Sequence, residues 1–385
     1  MTTVRTSTRA YHLVNAQVLA PEVTGATELA TDGELIAEGP GQGAEIVDCD
    51  GDLLIPGLID IHTDNIEHHF HPRPAVTWPS GVAAALAHDA QMLAAGITTV
   101  LDSLSLGDYD SAGARTLMLH AAIGGIDEAR AAGLLRVDHW FHFRCELSDG
   151  GLLPIIESHV DNPRLRLLSM MDHTPGQRQW HNLKIYREFR RKKNNRVWTD
   201  EEWQAYLDDR LAQQARFVPE ARAIISAHGR DKQIMLASHD DTTIDDVEQS
   251  ARDGISISEF PTTLAAARHA RQRGQQIVMG SPNVVLGGSH SGNVSAMELA
   301  QADCLDVLTS DYVPASLLHG AFMVGQQLGD LSTGIRTVTS RPADMLGFTD
   351  RGRISPGLRA DILLVRMIGD LPVVRAAWVA GRRYL

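Results

Sequence analysis

Eight apolar, β-branched runs recur along the 385 residues, each closing on polar side chains and separated from the next by an Ala-rich segment of helical character. They are LLIPGLIDIH in the 54–63 region, ITTVLDSLS (97–105), VDHWFHFRCEL (137–147), LRLLSMMDH (165–173), IMLASHD (234–240), ISISEFP (255–261), IVMGSPN (277–283) and DVLTSDY (306–312). Strands that alternate with helices form a parallel sheet, because each crossover carries the chain back to the same end. Eight such strands are the number that closes a (β/α)8 barrel of the TIM type, and the stretch from His62 to Asp311 has its usual length of about 250 residues. The helices fit: Ala83–Ala95 and Leu264–Arg273 are amphipathic and each is followed by a glycine, Gly96 and Gly274, as helix C-termini commonly are.

The chain ends read differently. Residues 8–53 and roughly 345–385 are short alternating segments with Gly and Pro turns, for example GRISPGLRADILLV and VVRAAWVAGRRYL. Neither end is large enough to fold alone. The expected organisation is an α/β protein with a small β-sandwich domain assembled from residues 1–53 and 345–385, and a barrel of the metal-dependent hydrolase kind over 54–344. One connection is too long for a plain crossover: 174–233, between strands four and five, carries a basic stretch and then Thr199-Asp-Glu-Glu202, a capping-box start to a helix. An insertion there is expected on the catalytic face.

Composition narrows the class. A net charge of −13 argues against nucleic-acid binding, and no run of about 18 apolar residues offers a membrane span. The N-terminus lacks the basic start and apolar run of a signal peptide, so a cytoplasmic location is expected. Cys49, Cys145 and Cys304 are far apart and form no C-x-x-C pair, which speaks against both a disulfide framework and a thiolate zinc site.

The chemistry is at the strand ends. Strand one ends His62-Thr-Asp64, strand three Arg144-Cys-Glu146, strand four Asp172-His173, strand five His239-Asp240-Asp241 and strand eight at Asp311. In a barrel these ends meet on one face. Strand alternation points His62 and Asp64 the same way, a two-toothed ligand, and imidazole with carboxylate suits zinc, manganese or iron. His68, His69 and His71 are read as loop or substrate contacts. His12, His88, His120, His159, His228 and His269 are read as ordinary surface or core residues, and Cys145 as packing.

Cations and glycines suggest an anionic substrate. Arg73 follows strand one, Arg178 sits in PGQRQ, Lys184 comes shortly after, and Arg187–Arg196 holds six Lys or Arg in ten residues. Arg73, Arg178 and Lys184 are candidates for phosphate contact; Arg190–Lys193 are better read as a solvated face. In Gly287-Gly-Ser-His-Ser-Gly292 two readings stand equal. Gly287 and Gly288 bring backbone N–H groups to a phosphate with His290 as a proton donor, or the stretch is a tight turn with a packed histidine.

PGLIDIHTDN, the terminal Asp311 and GRISPGLRADILLV resemble the amidohydrolase superfamily. HTDNIEHHFHPRP, RCELSD, MDHTPGQRQ, ASHDDTT, SEFPTT, GSPNVVLGGSHSGN and TSDYVPASLLHGA resemble, more specifically and over nearly the whole chain, the PhnM family of the carbon–phosphorus lyase pathway. The resemblance implies hydrolysis of α-D-ribose 1-methylphosphonate 5-triphosphate to pyrophosphate and the 5-phosphate, a phosphoanhydride diphosphatase reaction in phosphonate catabolism. It implies two divalent ions: His62, Asp64 and Asp311 on one, His173 and His239 on the other, Glu146 bridging, and Asp311 also taking a proton from the attacking water. Asp64 stands where most superfamily members have a second histidine, no strand end supplies the carboxylated lysine many use, and Glu259 stands at the end of strand six where others have a metal-binding histidine. Two other readings compete: an amidohydrolase or deaminase acting on a cyclic amide or ring substrate, and a non-catalytic binding subunit on the same fold. The expected partner is a phosphorylated sugar; a homo-oligomer is compatible with the sequence.

Overall fold

The computed structural model describes residues 9–20, 23–73, 76–107, 114–194, 196–288 and 292–385. All eight runs form strands: β1 Leu58–Thr63, β2 Ile97–Leu106, β3 Asp138–Glu146, β4 Leu165–Met171, β5 Met235–His239, β6 Ile257–Glu259, β7 Gln276–Gly280 and β8 Val307–Thr309. They pair in sequence order as one parallel eight-stranded sheet. The sheet closes through few bonds. Thr63 and Asp311 form a single parallel bridge, with Asp311 N–H donating to the His62 carbonyl at 3.0 Å and Asp64 N–H to the Asp311 carbonyl at 3.1 Å. Buried Asp60 reinforces this seam by accepting from Thr309 Oγ1 at 2.6 Å and from the Ser310 N–H at 3.1 Å. The closing bonds therefore fall on the backbone that carries His62, Asp64 and Asp311.

The barrel interior has two layers of opposite character. Below, Ile59, Ile61, Leu101, Leu167, Ala237, Ile257, Val278 and Val307 form an apolar layer, plugged by Ala343, Met345, Leu346 and Phe348 from the chain beyond the last barrel strand. Above it, towards the C-terminal rim, the same strands turn polar side chains inward. On β5, β6 and β8 side-chain alternation produces this switch, since Ala237, Ile257 and Val307 are followed two positions on by His239, Glu259 and Thr309, whereas β1 reaches His62 across a register shift.

Two further sheets accompany the barrel, the first built from strands of the N-terminal segment alone and the second from both chain ends. One orders Leu35–Ala37, Leu29–Asp32, Tyr11–Val14 and Glu45–Asp48; the other orders Arg382–Arg383, Leu371–Val379, Ile362–Ile368, Leu53–Pro56, Gln17–Ala20 and Val23–Thr24. They bury Leu13, Ile36, Leu54, Ile362 and Trp378 between them. The run LLIPGLIDIH divides at Gly57: Leu53–Pro56 pairs with Ile362–Ile368, and only Leu58 onward enters the barrel. Glycine is required at the division, because a Cβ there would lie 2.3 Å from Thr98 Oγ1.

The long connection after β4 holds a 3-10 turn, Arg178–Trp180, a helix Leu183–Asn194, and a helix Asp200–Lys232 of 33 residues. The expected capping box is present: Glu202 N–H donates to Thr199 Oγ1 at 3.2 Å and Thr199 N–H to Glu202 Oε2 at 3.0 Å. The second half of this helix is the ordinary crossover helix, with Ala221 and Ile225 buried against the barrel. Its first half and the shorter helix pack around a hydrophobic cluster of Tyr186, Trp203 and Leu207, flanked by the aromatic rings of Trp180, Trp198 and Tyr206. The basic stretch is largely spent locally: Arg187 pairs with Asp200, Arg191 and Lys192 with Glu188, and Arg196 with Glu202.

Candidate active site

A cavity of about 240 Å³ opens at the C-terminal rim, lined by His62, Arg144, His173, His239, Asp240 and Asp311 on the barrel side. Gln179 from the long connection and Asn283, Gly288 and Asn293 from the segment after β7 complete its wall. Three residues just beyond the strand ends, Asp240, Phe260 and Asp311, have left-handed backbone, with φ of 59°, 53° and 55°. Non-glycine side chains rarely adopt this conformation, and it clusters at functional sites. Here it turns the chain sharply at the rim, so that consecutive residues such as His239 and Asp240 both line the cavity.

The imidazoles are held from behind. His62 Nδ1 lies 3.0 Å from Glu259 Oε1 and His239 Nδ1 lies 3.4 Å from Glu259 Oε2, while His173 Nδ1 lies 2.6 Å from Glu146 Oε2. A carboxylate only accepts, so Nδ1 is the donor in each pair and Nε2 lies on the opposite side of the ring. This is the arrangement of metal-binding histidines oriented by an outer carboxylate. Glu259 is fully buried and is held well below the usual carboxylate range: burial opposes ionisation, but His142 and His62 outweigh it. His142, beneath, touches Ser169 and the Ile61 carbonyl, and burial pushes its pKa down to about 3.

Carboxylate oxygens complete the set. Asp240 Oδ2 is buried without a hydrogen-bond partner, 3.7 Å from His239 Nε2 and 3.9 Å from His173 Nε2. Ligand atoms about 2.1 Å from one tetrahedral ion stand about 3.4 Å apart. The three atoms are thus too far apart to bond one another and spaced as ligands of a common cation, which fits a divalent metal. Asp64 Oδ1 is likewise buried and unpartnered, beside the backbone bridge that joins it to Asp311. The Asp311 carboxyl is pushed up, by burial first and by the Asp64 charge, against the pull of His62 and Arg144.

Glu146, expected to bridge two ions, is engaged with neighbours that follow β3 and β4. Its Oε1 accepts from Ser148 and from the His173 N–H, and its Oε2 from His173 Nδ1, so both oxygens are used in holding the His173 segment. Arg178 is not presented to a phosphate. It is buried, bonded to Asp241 and to the His239 carbonyl at 2.9 Å, and so braces the end of β5. Gly287 and Gly288 point no free N–H at a ligand, since these groups donate to the Val284 and Asn283 carbonyls in a turn. Arg73 and Lys184 are exposed and outside the cavity lining. His290 lies outside the described residues. His69 bonds Gln91 at 3.0 Å, and neither it, His68 nor His71 lines the cavity. Sequence reasoning assigned no role to Asp240, Arg144, His142 or Glu259. Alternation along β3 puts 142, 144 and 146 on one face, a signal sufficient to find the first two of these.

No protein-family model matches the chain. Among solved structures it superposes on N-isopropylammelide isopropylaminohydrolase from Burkholderia multivorans ATCC 17616, with a TM-score of 0.63, 17% identity, and 97% and 98% of the two chains covered. It also superposes on dihydropyrimidinase from Brevibacillus agri NCHU1002, with a TM-score of 0.58, 15% identity, and 97% and 94% covered. The fold is thus that of the amidohydrolase class of barrels, whose strand ends here carry a histidine and aspartate set fit for a divalent metal. In sequence, the chain is 43% identical over 371 residues to the alpha-D-ribose 1-methylphosphonate 5-triphosphate diphosphatase of Escherichia coli (strain K12), covering 95% of this chain and 97% of that protein. The chain belongs to the PhnM family of diphosphatases.

Proposed function

We propose that this protein hydrolyses α-D-ribose 1-methylphosphonate 5-triphosphate, releasing pyrophosphate and leaving the 5-phosphate, in phosphonate catabolism. The observation that carries this reading is the end-to-end 43% identity with a diphosphatase of that name. The site supports it through three histidines with Nε2 facing one cavity and unpartnered carboxylate oxygens beside them. His173, His239 and Asp240 would hold one divalent ion (zinc, manganese or iron), and His62, Asp64 and Asp311 a second. Such ions, when bound, polarise phosphoryl oxygens and acidify a water. Glu259 and Glu146 keep the imidazoles turned towards the cavity. In the step itself the oxygen of a water bonds to the α-phosphorus as the bond from that phosphorus to the bridging oxygen breaks. Pyrophosphate departs with the electron pair, and the water's proton passes to the Asp311 carboxylate. A cytoplasmic site of action agrees with three buried cysteines that form no disulfide; no helix among the described residues is long and apolar enough to cross a membrane.

The test is direct. Purified protein loaded with Mn²⁺ or Zn²⁺ should release pyrophosphate from the sugar triphosphate and leave a dihydropyrimidine ring intact. Ring hydrolysis without pyrophosphate release would favour the cyclic-amide reading. Protein that holds less than about one ion per chain, with no affinity for added metal, would favour a binding subunit.

A further inference from the structure

A triphosphate must be held in a cavity whose walls are acidic, and the cations expected for that task lie elsewhere. Arg178 is committed to Asp241, and Arg73 and Lys184 are exposed outside the cavity lining. Among the described residues the one Lys or Arg that lines the cavity is Arg144, on β3 between His142 and Glu146. Its guanidinium has five N–H donors, yet its one contact is Nη1 to Asp64 Oδ2 at 3.4 Å, well beyond the 2.7–2.9 Å typical of such pairs. Its Nε is shut from solvent without a partner. A guanidinium stays charged in proteins, and the Asp64 carboxylate stands beside it. A half-buried, charged planar fork with most of its donors unpaired within the protein, at the wall of a cavity, is built to receive an anion.

We infer that Arg144 binds the non-bridging oxygens of the phosphoryl group under attack. Its position beside Asp64 and near Asp311, the proton acceptor, selects the phosphorus next to the sugar rather than the departing pyrophosphate. The inference rests on the diphosphatase reading and deepens it. Charge accumulates on those oxygens in phosphoryl transfer, so the contact strengthens as the reaction proceeds.

The experiment compares metal-loaded wild type, Arg144→Gln and Arg144→Lys. Arg144→Gln should lower kcat for pyrophosphate release about 10²–10³-fold, as loss of one charge-stabilising donor does, and Arg144→Lys should recover only part. Calorimetry with ribose 5-phosphate, whose single phosphate mimics the group under attack, should show Kd at least about tenfold weaker in Arg144→Gln, at an unchanged number of metal ions per chain. Wild-type rates and ribose 5-phosphate affinity in Arg144→Gln would overturn the inference. So would loss of metal in proportion to loss of activity, which would make Arg144 a counter-charge for Asp64. If the wild type releases no pyrophosphate, the reading of function fails, and the ribose 5-phosphate measurement still decides whether Arg144 binds the anion.

Discussion

At the scale of single residues, the site separates side chains that meet the reacting atoms from those that aim them. In the proposed reaction Asp311 would be of the first kind. Asp311→Asn keeps the shape and removes the basic oxygen, so kcat should fall about 10³-fold, within the range for a lost general base, while the melting temperature stays near that of the wild type. A near-normal rate would end its role as proton acceptor. Glu259 belongs to the second kind, because it serves His62 and His239 at once. In Glu259→Gln an amide NH₂ replaces one acceptor, so at least one ring must turn or lose its bond. Metal affinity should drop about 10–100-fold, measured by competition with a fluorescent chelator; unchanged affinity would show that the rings hold their orientation without it.

Between elements, a second buried network lies outside the barrel wall and does not touch the cavity. Asp102 on β2 accepts from His88 Nε2 at 2.7 Å and from His139 Nδ1 at 2.8 Å, and His139 Nε2 stands 3.5 Å from Asp89. The spacing of His88, Asp102 and His139 resembles a metal site, but the two Asp102 oxygens are each taken by an imidazole N–H. Asp89 also bonds Arg136 and the Val137 N–H, so the network clamps the helix Gly81–Ala94 to β2 and β3. Burial lowers the His139 pKa, yet Asp102 and Asp89 outweigh it and raise the value to about 9. A group raised in the folded state stabilises fully below its unfolded pKa of about 6.5 and loses that contribution as pH climbs through the folded value. Unfolding free energy in urea should therefore decline from about pH 7 to pH 9, and His139→Gln should flatten that decline; an equal slope in both proteins would show that His139 is not charged. Asp102→Asn leaves a buried imidazolium short of its counter-charge and should cost about 3–5 kcal/mol.

Over the whole molecule, the barrel is stabilised from opposite ends. Below, the Phe348 ring packs 5.4 Å from the Trp140 ring and closes the apolar floor, so Phe348→Ala should cost about 3–5 kcal/mol. Above, unpartnered carboxylate oxygens repel one another unless a cation lies between them. Chelation should therefore lower the melting temperature, and readdition of Mn²⁺ or Zn²⁺ should raise it with concentration, by about 2.7 kcal/mol of stability at a hundred times Kd. A melting temperature indifferent to chelator would mean that the clusters hold no ion.

Strand periodicity, helix ends and the count of eight were legible in the amino-acid order because they depend on neighbours two to four positions away. The placement of His62, Asp64, His173, His239 and Asp311 at one rim followed from that count, since closing a parallel barrel brings every strand's C-terminal end together. Which acidic groups face the cavity and which stand behind an imidazole was not legible. Glu259 reaches His62 across 197 positions, and Asp64 and Asp311 meet only at the seam. The same is true of the cations: Arg178 and Arg144 both follow or end a barrel strand, yet folding sets Asp241 against the first and leaves the second open to the cavity. Local chemistry chose the residue types, while packing of distant strands decided which polar atoms are satisfied and which are left for a ligand.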